Sequence, residues 1–78
     1  MKVVYVRYWD HVLFKDVNPK AYGPQVRETV GWLAEDNGGY IRIEWERFNG
    51  SAVPDNLKQR STGLVILKSC ILELGEVG

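Results

Sequence analysis

The stretch GWLAEDNGGYIRIEW, residues 31–45, decides the fold class because two apolar runs flank a short acidic and glycine-rich break. The second run continues to residue 48, and in it Ile41, Ile43 and Trp45 alternate with charged side chains. Such alternation is typical of a half-buried antiparallel strand, which needs a hydrogen-bonded partner. The break ends in Asn-Gly-Gly, residue types that accept the positive φ of tight hairpin turns. We therefore predict a hairpin whose first strand covers residues 27–35.

An α-helix over residues 24–37 remains open as the alternative to this first strand. Pro24 and Gly38 stand where many helices begin and end, and three apolar residues between them recur at helical spacing. Against a helix, Gly31 lies in the middle of the segment, where it costs about 1 kcal/mol relative to Ala. A far-UV circular dichroism spectrum dominated by helix would favour this alternative and an α+β domain.

The remaining segments suggest further strands. Residues 2–8 are dense in β-branched and aromatic side chains, and residues 64–74 read as a strand, a tight turn near Lys-Ser-Cys and a last short strand. Residues 16–25 are predicted as a loop, and residues 49–63 form a long polar connection. We predict one domain over residues 1–78. The long first loop and the single turn before the last strand predict that this domain is a small all-β, SH3-like (Sm-like) barrel of about five antiparallel strands.

Composition excludes several classes of protein. The 78 residues include ten basic and ten acidic side chains, so no net charge draws the protein to nucleic acid or to an anionic membrane. Cys70 is the single cysteine and offers neither an intramolecular disulfide nor a thiolate metal cage. The longest apolar run, interrupted by Lys68, is far shorter than the ~20 residues of a membrane span. We expect a cytoplasmic protein with no metal and no cofactor.

The segments VRETVGWLAED, YIRIEWER and GLVILKSCILEL resemble small uncharacterised proteins of archaea and phages. Those proteins also combine a VGWL strand with a later strand that ends in a KS-x-I turn. The likeness covers residues 26–48 and 63–74, about half of the chain. It implies an SH3-like barrel, and it implies no catalytic residues because no activity is assigned to that family.

Catalytic chemistry finds little support in the sequence. His11 is the only histidine and follows Asp10, but adjacent residues of an extended segment point to opposite faces, so the carboxylate is not placed to orient the imidazole. Cys70 lies in an apolar context that suits a buried and inert thiol. We predict that the protein is not an enzyme and keep a small enzyme only as a remote alternative.

A binding surface is predicted on the two long loops, residues 9–25 and 49–62, because rigid barrels commonly present their contact residues on loops. Aromatic side chains beside the first loop would anchor a partner, and basic side chains of the second loop would add charge. The four predicted contact residues are Trp9, Tyr22, Lys58 and Arg60. Trp32 and Trp45, which lie within predicted strands, are expected to pack the interior of the barrel.

Two partner classes follow from these residues. A protein partner is favoured, and the alternative is single-stranded RNA or DNA bound by stacking and phosphate contacts in the Sm-like manner. Acidic residues interleave with the basic ones, which favours a mixed charged surface over a basic patch. The residues that would form such a patch are Arg42, Arg47, Lys58, Arg60 and Lys68, with Tyr40 and Phe48 as stacking platforms. The small core and the many aromatic residues also predict a weak homodimer or larger oligomer formed through the outer strands.

Overall fold

The computed structural model describes residues 1–11, 15–47 and 60–78. Within these residues the chain forms five β-strands and two short 3₁₀ turns, and it contains no α-helix. The all-β prediction is confirmed, and the helix alternative for residues 24–37 is wrong. The strands are β1 (Val3–Asp10), β2 (Gln25–Asp36), β3 (Tyr40–Arg47), β4 (Ser61–Leu67) and β5 (Ile71–Glu76); the 3₁₀ turns are Pro19–Ala21 and Lys68–Cys70.

The hairpin between β2 and β3 forms where the sequence predicts it, but its turn is stabilised differently. No residue of the turn has a positive φ. The side chain of Asn37 stabilises the turn instead, because its Oδ1 accepts hydrogen bonds from the backbone N–H groups of Gly39 at 2.9 Å and Tyr40 at 3.0 Å. The Asn37 N–H also donates to the Tyr40 carbonyl oxygen at 3.1 Å. An Asn at this position therefore serves the turn through its amide rather than through its backbone freedom.

All five strands belong to one antiparallel sheet in the order β4-β3-β2-β1-β5. The long strand β2 joins the two halves of this sheet: residues 25–32 pair with β1, and residues 32–36 pair with β3. The predicted strand, turn and strand over residues 64–74 are confirmed, with the turn at Lys68–Cys70. The predicted connection 49–63 ends earlier than expected, because β4 begins at Ser61; residues 48–59 lie outside the described residues.

The core lies on the concave face of the sheet. Strands β1, β3 and β4 each contribute to it, although two strands separate β1 from β4 in the hydrogen-bonded order. The sheet is therefore strongly curved. Among the described residues no backbone pairing joins its end strands β4 and β5, so the sheet is open. The buried residues are Val4, Val6, Tyr8, Ile41, Ile43 and Ile66, with Leu33, Leu64 and Ile71 packed against them.

The prediction that Trp32 and Trp45 pack the interior is wrong. Trp32 pairs with Val3, on the face of β1 opposite the core, and the guanidinium of Arg47 lies 4.6 Å from the centre of its ring. Trp45 lies at a bulge, where the register between β3 and β4 shifts, and it is 43% exposed. A bulge adds one residue to a strand and so breaks the alternation of period two on which the prediction depended.

Gly31 allows β2 to approach β3 closely. A Cβ atom at this position would lie 2.5 Å from Cγ2 of Ile43 and 2.7 Å from the backbone oxygen of Glu44. Ile43 is fully buried. Any larger residue at position 31 would therefore displace the backbone of β3 at the point where β2 changes partners.

Candidate functional site

A cleft of about 410 Å³ lies at the end of β1. Trp9 and Asp10 are the last two residues of β1, and His11 follows them. Pro24 directly precedes β2, and Cys70 ends the second 3₁₀ turn. The cleft thus forms where the first loop leaves and re-enters the sheet, beside the turn before β5. We call it the β1-end cleft.

A second cavity of about 230 Å³ continues the β1-end cleft towards β4. It is lined by residues 8–11 at the end of β1, by the consecutive residues 64–67 of β4, and by Cys70. The two cavities share Trp9, Asp10, His11 and Cys70. Together they form one continuous concave surface between the end of β1 and the end of β4.

Trp9 is the principal apolar side chain of the cleft. It is 44% exposed, and Val26, its partner across the β1–β2 pairing, is 47% exposed. A large aromatic ring held on a strand loses little conformational freedom when a partner covers it. The arrangement therefore suits the binding of an apolar group.

Asp10 is the carboxylate of the cleft, and its oxygens already have partners. Oδ2 lies 2.8 Å from Nε of Arg27, and Oδ1 accepts a hydrogen bond of 3.0 Å from the backbone N–H of His11. This contact involves the backbone of His11 and not its imidazole. Burial raises the pKa of the Tyr8 hydroxyl above its ordinary value; the Asp10 carboxylate adds to this effect, and the Arg27 guanidinium opposes it.

The structure does not bring the four predicted contact residues into one site. Trp9 lines the β1-end cleft, and Tyr22, in the first loop, is 45% exposed. Arg60 directly precedes β4 and lines a separate cavity of about 210 Å³ with Arg47 and Glu46. Lys58 lies outside the described residues.

The basic residues that the sequence offers for a nucleic-acid surface are largely paired with carboxylates. Three of the five form ion pairs: Arg42 with Glu35 at 2.9 Å, Arg47 with Glu44 at 2.8 Å, and Lys68 with Asp36 at 2.6 Å. Such pairing reduces the positive potential that phosphate groups would meet. Phe48, one of the two proposed stacking platforms, lies outside the described residues.

Across residues 1–11, 15–47 and 60–78, no group of three or more His, Cys, Asp or Glu side chains is placed to hold a metal ion. The same residues include no helix that is long and apolar enough to cross a membrane.

Comparison with known proteins supplies no relative. No protein-family model, no curated protein and no solved structure matches the chain. The resemblance to small archaeal and phage proteins stays a prediction.

Of the residues that line the β1-end cleft, Trp9 is the one that the sequence predicts as a contact residue. The sequence indicates Pro24 only as a loop residue or a helix start, and it predicts a buried Cys70, whereas Cys70 is half-buried and lines the cleft. The sequence carries no local signal for the other lining residues, because they meet only through the curvature of the sheet.

Proposed function

We propose that this chain is a non-enzymatic binding module whose partner is a protein, held in the β1-end cleft. The observation that carries the proposal is the exposed indole of Trp9 at a cleft of about 410 Å³. The carboxylate beside it, Asp10, is already paired with Arg27 at 2.8 Å. A partner that covers Trp9 therefore gains apolar contact without leaving a charge unpaired.

We further propose that the sheet is an SH3-like barrel. The support is the strand order β4-β3-β2-β1-β5, the long β2 that serves both halves, and the 3₁₀ turn between β4 and β5. The shared core of β1, β3 and β4 also fits a sheet that curls towards closure. Fold alone implies no function, so the binding proposal depends on the cleft.

The second candidate function is binding of single-stranded nucleic acid. One observation favours it: Arg47 and Arg60 line a common cavity with Ser61 and Thr62, residue types that commonly contact phosphate groups. Glu46 lines the same cavity. Arg47 is also engaged by Glu44, so the protein partner remains the better supported proposal.

We also propose that the protein works in the cytoplasm and associates weakly with itself. A single cysteine suits a reducing compartment. Apolar side chains on the end strands of the sheet favour self-association: Val65 and Leu67 of β4, and Leu72 and Leu74 of β5, are each 42–56% exposed. Contact between such surfaces would remove them from water.

Affinity capture tests the proposed function. The tagged protein is used as bait in a lysate of its host, with and without nuclease, and any captured protein is then purified and titrated into the bait. We expect a protein that survives nuclease treatment and binds Trp9→Ala more weakly than the parent. Trp45→Ala is the matched control, because Trp45 is 43% exposed against 44% for Trp9 and lies away from the cleft. Capture that disappears with nuclease would support the nucleic-acid candidate instead.

A further inference from the structure

Strand β4 is an end strand of the sheet and has one edge that no strand pairs with in the described part of the chain. The cavity of about 230 Å³ touches four consecutive residues of this strand, Leu64–Leu67. Successive side chains of a strand point to opposite faces, so these four residues belong to both faces of β4. The cavity therefore runs along the edge of β4, where its backbone N–H and C=O groups are presented.

The opposite wall of this cavity is also the end of a strand. β1 pairs with β5 only as far as Tyr8, which is opposite Ile71. Trp9 and Asp10 continue β1 beyond that pairing, and they line the cavity that faces β4. The cavity is thus a gap between two strand ends of the same chain.

We infer that an extended, uncharged and mostly apolar segment of the partner protein inserts into this gap and adds to the edge of β4 as a further strand. The inference rests on the proposed function and deepens it by naming the form of the partner. Strand addition uses the main-chain groups of an open edge for affinity and the flanking side chains for specificity.

The size of the gap fits a single extended chain. Both walls belong to this protein, and the space between them is about 230 Å³. Four residues of an extended chain span about 13 Å, which matches the length of edge that the cavity follows.

The charges around the gap select an uncharged segment. Residues Ser61–Leu67 of β4 include no charged side chain. Of the nearby charges, Asp10 is paired with Arg27 at 2.8 Å, and Lys68 is paired with Asp36 at 2.6 Å. A charged residue of the segment would lose its hydration in the gap with no partner of opposite sign to replace it.

The side chains of β4 favour a partner segment with apolar residues on both of its faces. Leu64 and Ile66 point to the core side, opposite Ile43 and Ile41 of β3. Val65 and Leu67 point to the other side and are 56% and 54% exposed. An added strand places its own side chains beside these two pairs, so both of its faces meet apolar neighbours.

A peptide library tests the inference on the intact protein. Random peptides about twelve residues long, displayed on phage, are selected on the immobilised protein, and the best binder is synthesised with an unmodified backbone. Two further versions carry N-methyl groups on alternate residues, one version for each of the two alternating sets. Only one set of N–H groups faces the edge of β4 in an added strand. We expect one N-methylated version to lose about tenfold or more in affinity and the other to bind like the parent peptide.

Variants of the protein locate the bound peptide. Val65→Lys places a charge beside the edge of β4, and we expect it to weaken binding by about tenfold. The matched control is Val30→Lys, because Val30 is 51% exposed but lies on β2, away from the gap. Circular dichroism and thermal unfolding verify that both variants fold.

The outcomes separate the inference from the proposed function. A peptide that needs Trp9 but binds equally well in both N-methylated versions overturns strand addition and leaves the β1-end cleft as the binding site. Equal binding to Val65→Lys and Val30→Lys also overturns it. A selection that yields no peptide overturns the inference, whereas the proposed function then depends on the affinity capture described above.

Discussion

The substitution Gly31→Ala tests the packing of β2 against β3 with one added methyl group. Ordinary van der Waals contact begins at 3.4 Å, so the new Cβ is about 0.9 Å too close to Cγ2 of Ile43 and about 0.7 Å too close to the backbone oxygen of Glu44. Ile43 is fully buried, and the backbone of β3 is paired with β2 and β4 on its two sides. Neither the Ile43 side chain nor the backbone of β3 can shift easily. We therefore expect Gly31→Ala to lower the free energy of unfolding by about 2–3 kcal/mol, in the upper part of the usual overpacking range.

Such a loss is large for this protein, because a core of this size supplies about 3–5 kcal/mol in total. We expect the melting temperature to fall by about 10–20 °C, followed by circular dichroism and by urea unfolding. Gly75→Ala is the matched control: it also lies in a strand, and an added Cβ meets nothing within 4 Å. That variant should be neutral or more stable by less than about 1 kcal/mol. Equal stability of the two variants would refute the close approach of β2 and β3.

Three further predictions concern the core and its periphery. Ile43→Ala, at a fully buried position, should lower the free energy of unfolding by about 2–5 kcal/mol in urea titrations. Trp45→Ala should cost clearly less in the same titrations although it removes a larger side chain, because Trp45 is 43% exposed; an equal cost would place it in the core. The raised pKa of Tyr8, due first to burial and then to Asp10, means that the folded state keeps a proton that the unfolded state releases. This stabilisation is complete below the unfolded pKa of about 10 and is lost as the pH rises through the higher folded pKa, so the stability advantage of the parent over Tyr8→Phe should shrink as the pH is raised above about 10. A constant difference would exclude this role of Tyr8.

Much of the fold is predictable from local pattern. The alternation of residues 40–47 identified β3, and the turn residues before it identified the hairpin with β2. The mixed apolar run over residues 64–74 predicts two strands and a turn, and the structure contains all three. These elements are predictable because side-chain alternation and turn chemistry are properties of short segments.

The errors arise where pairing between strands overrides the local pattern. Trp45 continues the alternation of Ile41 and Ile43 in the sequence, but the bulge between β3 and β4 moves it to the outer face. Gly31 appeared only as a residue unfavourable to a helix, whereas its role is to let two strands approach each other. Both effects depend on residues that are distant in the chain.

The candidate site, like the fold, is predictable from the sequence only in part. Trp9 was predicted as a contact residue from its position beside the first loop, and the structure places it at the β1-end cleft. Two strands separate β4 from β1 in the hydrogen-bonded order, and the edge of β4 lies near the end of β1 only because the sheet curves. Neither the composition nor the spacing of residues in the sequence predicts that curvature.

The most direct test of the central claim, that the β1-end cleft binds a protein, is a calorimetric titration of the purified captured partner into the parent and into Trp9→Ala at low and at high salt. We predict that Trp9→Ala weakens binding by about tenfold or more, that Trp45→Ala binds like the parent, and that the affinity of the parent changes little with salt. Unchanged binding to Trp9→Ala, together with an affinity that falls steeply as salt is raised, would contradict the claim and indicate binding through phosphate contacts.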